Sequence, residues 1–307
     1  MDAVVVCYET PDHLRSCLES LERCEPGALG RVIVIDNSRS EECARVAEHE
    51  FPHVQLLRPG TNLGYGSAAN LGVALASTEH VLILNADTLL GRGAVTALGD
   101  ELDRHPTTAV VGPRLIDQDG RLQDSCARFP TTASVLLQQS GLWRLGARVG
   151  HRPGRRPFED PPDAANVPWL LGAALAVRRG AFTAIGGFDP AFFLYYEEVD
   201  LCRRLADAGW TTRFCPRAVV AHVGGASSSA EPMSTERVFY RSLAIYLRRH
   251  ARGPNLFGLR LGVSAIACAR LARDTWRAAA DRCAERAVLA LKVWMGVIGD
   301  AATGWKL

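Results

Sequence analysis

Val81-Leu82-Ile83-Leu84-Asn85-Ala86-Asp87 is an apolar run that stops on an amide and then a carboxylate. The four apolar residues read as a buried strand. A polar residue and an acid directly after such a strand lie at the carboxyl edge of a sheet. In open α/β folds that edge is where ligands bind. Asp87 there is placed to hold a divalent metal, and a hard metal holds a diphosphate.

The surrounding chain repeats the pattern. Strand-like runs are expected over 3–7, 31–36, 54–57, 81–84 and 109–111, with amphipathic segments over 11–23, 41–50, 66–76 and 93–105 between them. Thr10-Pro11 reads as a cap with Pro in the first turn of the helix. This βα alternation predicts a largely parallel sheet with right-handed crossovers. Beyond it, Asp117-Gln118-Asp119-Gly120 reads as a turn, 135–145 as a helix and 150–168 as a Pro-, Arg- and Asp-rich loop. Strands are expected over 169–177, 192–196, 211–215 and 219–222, and a helix over 199–208 that stops at Gly209. From Thr235 onward the chain reads as helical.

At 307 residues with 48% hydrophobic content the chain has room for one large α/β domain with an appendage. The net charge of +2 hides an asymmetry. Residues 235–307 hold 13 Arg/Lys and 5 Asp/Glu, a charge of +8; the rest holds 22 against 28, a charge of −6. The domains are therefore drawn as 1–234 and a basic helical region 235–307. A basic tail of helices that mix Leu, Val, Ile and Trp with Arg suits an anionic surface such as a membrane. Packing on the body or an oligomer contact, a homodimer included, are the alternatives. Nine cysteines without a CxxC pair argue against a disulfide framework and for a reducing cytoplasm. No signal segment and no run of 18 uncharged apolar residues is found, so no transmembrane helix is expected.

Several groups carry chemistry. Asp36-Asn37-Ser38 ends the second strand, where a carboxylate meets a base or ribose, or else caps the next segment. Asn62-Leu63-Gly64-Tyr65-Gly66 precedes a helix whose free amides suit an anion. A rival reading exists: Gly64-x-Gly66-x-x-Ala69, with Asp87 about 20 residues on, matches a dinucleotide fingerprint. That reading would make the chain a nicotinamide-dependent oxidoreductase. Against it, Pro59-Gly60-Thr61-Asn62 separates the glycines from the strand. His222, after an apolar strand, is either structural or a ligand acceptable to Mn²⁺. Glu197-Glu198-Val199-Asp200 crowds three carboxylates at a helix start. Capping explains one of them. Crowding raises the pKa of another toward that of a useful base, and Asp200 has Arg203 or Arg204 as a partner on the helix.

In order and spacing these motifs resemble the family 2 inverting glycosyltransferases with the GT-A fold, and among them the rhamnosyltransferase-like group. The resemblance runs from Ala3 to Ser227. It rests on Val5-Val6-Cys7-Tyr8, Val34-Ile35-Asp36-Asn37-Ser38, Asn62-x-Gly64-x-x-x-Ala68-x-Asn70-x-Gly72, Leu84-Asn85-Ala86-Asp87, Gly172-Ala173, Gly187-Phe188-Asp189, Phe193-x-Tyr195-x-Glu197-Glu198-x-Asp200-Leu201-Cys202-x-Arg204, Gly209-Trp210 and His222-x-x-Gly225-x-Ser227. It implies a donor site of Tyr8, Glu9, Asp36, Asn62, Gly64, Asn85, Ala86 and Asp87. Asp36 would meet the base, and Asp87 with His222 would hold Mg²⁺ or Mn²⁺. Glu198, or its neighbour Glu197, would be the base. Gly172, Ala173 and Trp169 would form the sugar or acceptor pocket. The loop 150–168, with Arg152, Arg155 and Arg156, reads first as a solvated loop and otherwise as one that folds over an acceptor diphosphate. The expected partners are a nucleotide-sugar donor, with dTDP-rhamnose first and UDP-hexose or UDP-galactofuranose next, and a glycan, lipid-linked or small-molecule acceptor. A non-catalytic sugar-nucleotide-binding protein is a further alternative. No nucleic-acid partner is expected. The place implied is the cytoplasm or the inner face of the cell membrane.

Overall fold

The computed structural model describes residues 1–24, 27–140, 160–224, 232–250, 255–281 and 284–303. The described chain divides into two compact units, residues 1–129 with 157–230, and residues 130–156 with 231–307. The sequence motifs fall in the first.

The first unit is a sheet in the strand order β3-β2-β1-β4-β10-β6-β11-β5, with β8 against β11. Strands β1 (Asp2–Cys7), β2 (Val32–Asp36), β3 (Gln55–Leu57) and β4 (His80–Asn85) are parallel, as the βα rhythm predicts. β6 (Thr108–Ile116) and β11 (Thr211–His222) are parallel to each other. β10 (Ala174–Arg178) runs antiparallel between β4 and β6. β5 (Thr88–Leu90) and β8 (Ala165–Asn166) run antiparallel to β11. β7 (Cys126–Ala127) and β9 (Trp169–Leu170) form a separate ribbon.

Helices cover both faces because the strands are apolar on both. In β1, Ala3, Val5 and Cys7 enter one core with Leu14, Leu18 and Leu21 of α1 (Pro11–Cys24) and Leu98 and Leu102 of α4 (Ala94–Arg104). Val4 and Val6 point the other way. They join Ala68, Ala69 and Val73 of α3 (Tyr65–Leu75), Phe182 of α6 (Arg179–Ala184) and Leu201 and Leu205 of α7 (Glu197–Asp207). Gly72 lets α3 sit on β1: a Cβ there would lie 2.2 Å from Val4 Cγ1.

Several expectations change. The segment 41–50 is a short α2 (Glu42–Arg45) that widens into a π-helical turn, Val46–Glu50. Thr10 caps α1 with its carbonyl, which accepts from Leu14 N at 2.9 Å, while its buried hydroxyl makes no bond among the described residues. The strand expected over 169–177 breaks into β9, which belongs to the ribbon with β7, and β10, which belongs to the main sheet; residues 171–173 connect the two. Residues 192–196 are not a strand, since Tyr195 and Tyr196 both take φ 67°. The two strands expected over 211–222 are one, irregular between Cys215 and Val219 where Pro216 interrupts the ladder. The turn at 117–120 forms as expected, with Gly120 N donating to Asp117 O at 3.0 Å. α7 ends at Gly209 (φ 89°) in a Schellman pattern, Trp210 N to Leu205 O at 2.9 Å and Gly209 N to Ala206 O at 3.0 Å. Of the helix expected over 135–145, residues 135–140 lie in α5 (Thr132–Ser140), which starts three residues earlier; the remainder lies outside the described residues, as does 150–159 with Arg152, Arg155 and Arg156.

The second unit combines α5 with α8 (Pro232–His250), α9 (Asn255–Ala280) and α10 (Ala284–Thr303). α5 falls within the interval 1–234 yet belongs here by its contacts with α9.

Replacing Gly72 by Ala should destabilise the protein by about 1–3 kcal/mol through overpacking. In chemical denaturation the double variant with Val4→Ala should lose less than the two single losses added together.

Candidate active site

The strand register builds the site. Cys7 of β1 lies beside Asp36 of β2, and Val6 beside Asn85 of β4. Three strands therefore end level, and the residues that follow them share one carboxyl edge. The chain winds outward from β1 through β2 to β3 and then returns to place β4 on the other side of β1. The crevice lies at this reversal of strand order.

Asp36 is buried there. Its Oδ1 accepts from Ser38 N at 2.9 Å in an Asx-turn, and its Oδ2 lies 3.1 Å from Arg58 Nε. Tyr8 and Glu9 follow β1. Glu9 has φ 51° and spends its carboxylate on the neighbouring loop, accepting from Arg39 N at 2.7 Å, Ser40 N at 3.1 Å and Ser40 Oγ at 2.5 Å. These bonds, the Ser40 hydroxyl foremost, hold Glu9 below the usual carboxylate range. Glu9 thus shapes the wall after β2.

Asn85, Ala86 and Asp87 are pinned through the main chain. Asn85 N donates to Ala173 O at 2.9 Å, and Ala86 N to Val6 O at 3.1 Å. Asn85 Oδ1 is buried and makes no hydrogen bond among the described residues. Directly after Asp87, β5 turns back and pairs Thr88 with His222 at the end of β11. That pairing carries the imidazole to the carboxylate: His222 Nε2 lies 3.6 Å from Asp87 Oδ1, too far for a hydrogen bond. Gln123 sets the ring. Its Nε2 donates to His222 O at 2.7 Å, which fixes the amide orientation and leaves Oε1 3.0 Å from His222 Nδ1. An acceptor at Nδ1 puts the ring proton there, so Nε2 faces Asp87 with its lone pair. Burial lowers the His222 pKa, opposed by Asp87, and favours the neutral ring that ligates metals. A hard carboxylate and a neutral imidazole facing each other without a bond fit Mg²⁺ or Mn²⁺, with coordination positions left for phosphate oxygens and water.

Glu197 and Glu198 open α7 and are buried. Each keeps an Oε2 without a hydrogen-bond partner among the described residues. Burial, then the adjacent Glu198, raises Glu197 well above the carboxylate range. Burial pushes Glu198 up to about 7, restrained by amides of its own residue, Val199 and Gly172. Both cations of the helix are paired with other acids: Arg203 Nε donates to Asp207 at 3.2 Å and Arg204 Nε to Asp200 at 2.6 Å. Tyr65 connects the two clusters. Its hydroxyl donates to Gly172 O at 2.9 Å, and after burial the charges of Glu197, Glu198 and Asp87 raise its pKa.

The pocket residues differ in access. Gly172 covers Glu198: a Cβ there would stand 3.5 Å from Glu198 Cβ and Cγ. Ala173 is buried against Asn85. Trp169 is buried, with Nε1 donating to Arg128 O at 2.9 Å, so its indole is a wall of the fold. Asn62 Oδ1 accepts from Gly64 N at 2.9 Å. Gly64 (φ 80°) leaves no room for a Cβ, which would come within 2.2 Å of Phe193 O. That carbonyl also accepts from Tyr65 N at 3.0 Å, so the first amide of α3 is already used. A Cβ on Gly66 would meet Phe188 Cβ at 2.8 Å and Glu197 Cβ at 3.5 Å. These glycines serve close packing against the segment before α7, which removes the basis of the dinucleotide fingerprint. Gly225 and Ser227 lie outside the described residues.

The sequence reading missed Gln123, Tyr65 and Asn70. Asn70 clamps the loop before α7, with Nδ2 donating to Phe188 O at 2.8 Å and Oδ1 accepting from Phe188 N at 2.9 Å. Its signal was its place in the Asn62–Gly72 motif. Gln123, in a turn, carried no signal. Changing Gln123 to Leu frees the ring of His222 and should weaken Mn²⁺ binding about 10- to 100-fold. Electron paramagnetic resonance titration of free Mn²⁺ measures this, and the melting temperature should stay nearly unchanged.

Residues 1–255 match the family model described as "Glycosyltransferase like family 2". The chain is 32% identical over 267 residues to the N-acetylglucosaminyl-diphospho-decaprenol L-rhamnosyltransferase of Mycobacterium tuberculosis, covering 82% of this chain and 85% of that one. Among solved structures it resembles GalNAc-T7 with UDP, GalNAc and Mn²⁺ (TM-score 0.58, 16% identity), covering 80% of this chain and 47% of that one. It also resembles the mannosyltransferase PcManGT of Pyrobaculum calidifontis with GDP-Man and Mn²⁺ (TM-score 0.56, 17% identity), covering 99% of this chain and 86% of that one. Sequence match and sheet topology agree: the chain is a GT-A-fold glycosyltransferase and belongs to glycosyltransferase family 2.

Proposed function

We propose that this enzyme transfers a sugar, with inversion, from a nucleoside-diphosphate donor to a hydroxyl of a lipid-linked glycan, and that the donor is dTDP-rhamnose. The carrying observation is a buried Glu198 whose Oε2 has no hydrogen-bond partner among the described residues, together with the unbonded Asp87–His222 pair; the charges of Glu198 and Asp87 both reach Tyr65. The name of the mycobacterial relative, which specifies rhamnosyl transfer to a diphospholipid-linked sugar, supports the choice of donor and acceptor.

In this reading Asp36 and the loop braced by Glu9 receive the nucleoside. Asp87 and His222 would hold a divalent cation, which would supply positive charge to the departing diphosphate. Glu198 takes the proton from the acceptor hydroxyl as that oxygen attacks the anomeric carbon from the face opposite the diphosphate. The amides of Gly172 and Val199 aim the carboxylate and keep it ionisable near neutral pH. Burial and the adjacent Glu198 raise Glu197 as well, so the pair favours carrying a single negative charge. Gly172 has no side chain to intrude between base and acceptor.

The pH dependence follows. A base with a pKa of about 7 is unprotonated above that value. Turnover should therefore rise with pH through about 7 and level off above it. The same shift has the opposite sign for stability. The folded carboxyl keeps a proton that the unfolded chain releases near 4.5, so its stabilising contribution is full below 4.5 and is lost as pH rises through about 7.

Incubating the enzyme with dTDP-rhamnose, UDP-glucose or UDP-galactofuranose, with and without Mn²⁺, tests the reading when product is followed on a diphospholipid-linked N-acetylglucosamine. Metal-dependent rhamnosylation is expected; transfer from UDP-sugars alone would overturn the donor. Glu198→Gln should lower kcat by about 100- to 10,000-fold with donor affinity kept. Asp87→Ala should instead weaken the metal-dependent part of donor binding in calorimetry.

A further inference from the structure

The second unit carries a surface that the transfer reaction does not use. α9 and α10 pack on each other, with α5 against α9 and α8 against α10. Inward they bury Val263 and Ala267 of α9 and Val293, Trp294, Val297 and Ala301 of α10. The faces that meet none of these neighbours remain apolar. Leu261 (58%) and Trp276 (72%) on α9, and Val288 (55%), Leu291 (52%) and Met295 (53%) on α10, are exposed.

Spacing makes each set a stripe. Leu261, Ala265, Ala269, Ala272 and Trp276 are exposed at steps of three or four residues, as are Ala284, Val288, Leu291, Met295, Gly299 and Ala302. Ordinary surface helices carry polar residues on this side. The charge is one-sided as well. Among the described residues of α8, α9, α10 and the turn at Asp281, eight exposed charged side chains are Arg or Lys, including Arg273, Arg277 and Lys292 beside the stripes. Among the side chains whose exposure is described, one acid, Asp281, is exposed, and it pairs with Arg286 at 3.0 Å; Arg273 pairs with the half-buried Asp274 at 2.8 Å. No helix among the described residues is long and apolar enough to cross a membrane.

We infer that the outer faces of α9 and α10 dock on a lipid bilayer rich in anionic headgroups, lying in its interface. Apolar stripes with Trp276 at one end enter the acyl boundary, and flanking Arg and Lys meet the phosphates. A second copy of the chain is the weaker occupant, because two such faces would oppose like charges. The inference deepens the lipid-linked reading of the acceptor: a donor arriving from water and an acceptor anchored in lipid meet where the enzyme rests on the surface.

Flotation of the full chain with vesicles of phosphatidylcholine, alone or mixed with phosphatidylglycerol, tests this. Binding is expected to the mixed vesicles, reduced by salt. Leu291→Glu with Met295→Glu, two exposed positions, should weaken it by more than about tenfold, and Arg277→Gln with Lys292→Gln by a smaller factor. Absence of binding to either vesicle, or binding that these changes leave intact, overturns the inference. So does a concentration-dependent dimer in light scattering that Leu291→Glu with Met295→Glu dissolves. Mn²⁺-dependent donor binding, followed in the same variants, reports separately on the transfer reading. Donor binding kept with vesicle binding lost condemns neither; donor binding absent from the parent chain condemns the transfer reading alone.

Discussion

Arg204 is the side chain on which the chemistry of this fold turns. It lies on the same helix as the paired glutamates, six residues beyond Glu198. Its Nε is held by Asp200, one turn back, at 2.6 Å, and the two terminal nitrogens donate to the carbonyls of Ile185 at 3.0 Å and Gly187 at 2.7 Å. The cation thus closes the loop before α7, while Glu197 and Glu198 stay buried without a counter-charge. Two adjacent carboxyls in such a place cannot both ionise near neutral pH. The fold bears that cost through rigid surroundings. Asn70 clamps Phe188 through both backbone groups, Phe193 lends its carbonyl to α3, and Tyr195 and Tyr196 are held at φ 67° by what is packed around them. Backbone in this region is unfavourable for bulky side chains and persists where neighbours over-determine it.

The other half of the site depends on a backbone pairing between distant segments. Asp87 and His222 are 135 positions apart in the chain, and the short β5–β11 ladder alone sets them face to face. Gln123 comes from a third segment, after β6, and turns a histidine at a strand end into one with a defined donor nitrogen. Asp87 and His222 each follow an apolar strand in sequence; Gln123 has no such neighbour to reveal its purpose.

That contrast explains what was legible. The parallel strands were readable because burial on both faces demands unbroken apolar runs, and the level strand ends then placed Asp36 and Asp87 together. The pairing of Asp200 with Arg204 followed from helical spacing. Residues 192–196 were misread because an aromatic run has strand composition, while its left-handed tyrosines are imposed by tertiary packing. Residues 169–177 were misread because Trp169 and Leu170 pair with β7 in a separate ribbon, and Gly172, between that ribbon and β10, lies against Glu198. Gln123 was invisible because an amide in a turn carries no pattern.

The glycines of the α3 entrance show why motif and mechanism must be separated. Their spacing matches a phosphate-binding fingerprint, yet Gly64 and Gly66 face Phe193, Phe188 and Glu197, and Gly72 faces Val4. Tyr65 N is spent on Phe193 O. The entrance is thus built to bring α3 against the glutamate-bearing segment, and its first amide is withdrawn from any anion. In the proposed reaction a donor diphosphate would be opposed by Asp87, Glu197 and Glu198 wherever these are ionised. Like charges at such separations in a poorly solvated site oppose binding strongly. Either the carboxyls keep their protons or a cation must stand between. One carboxyl of the buried glutamate pair takes the first course. Asp87, with a neutral imidazole aimed at it and no hydrogen bond joining the two, is arranged for the second.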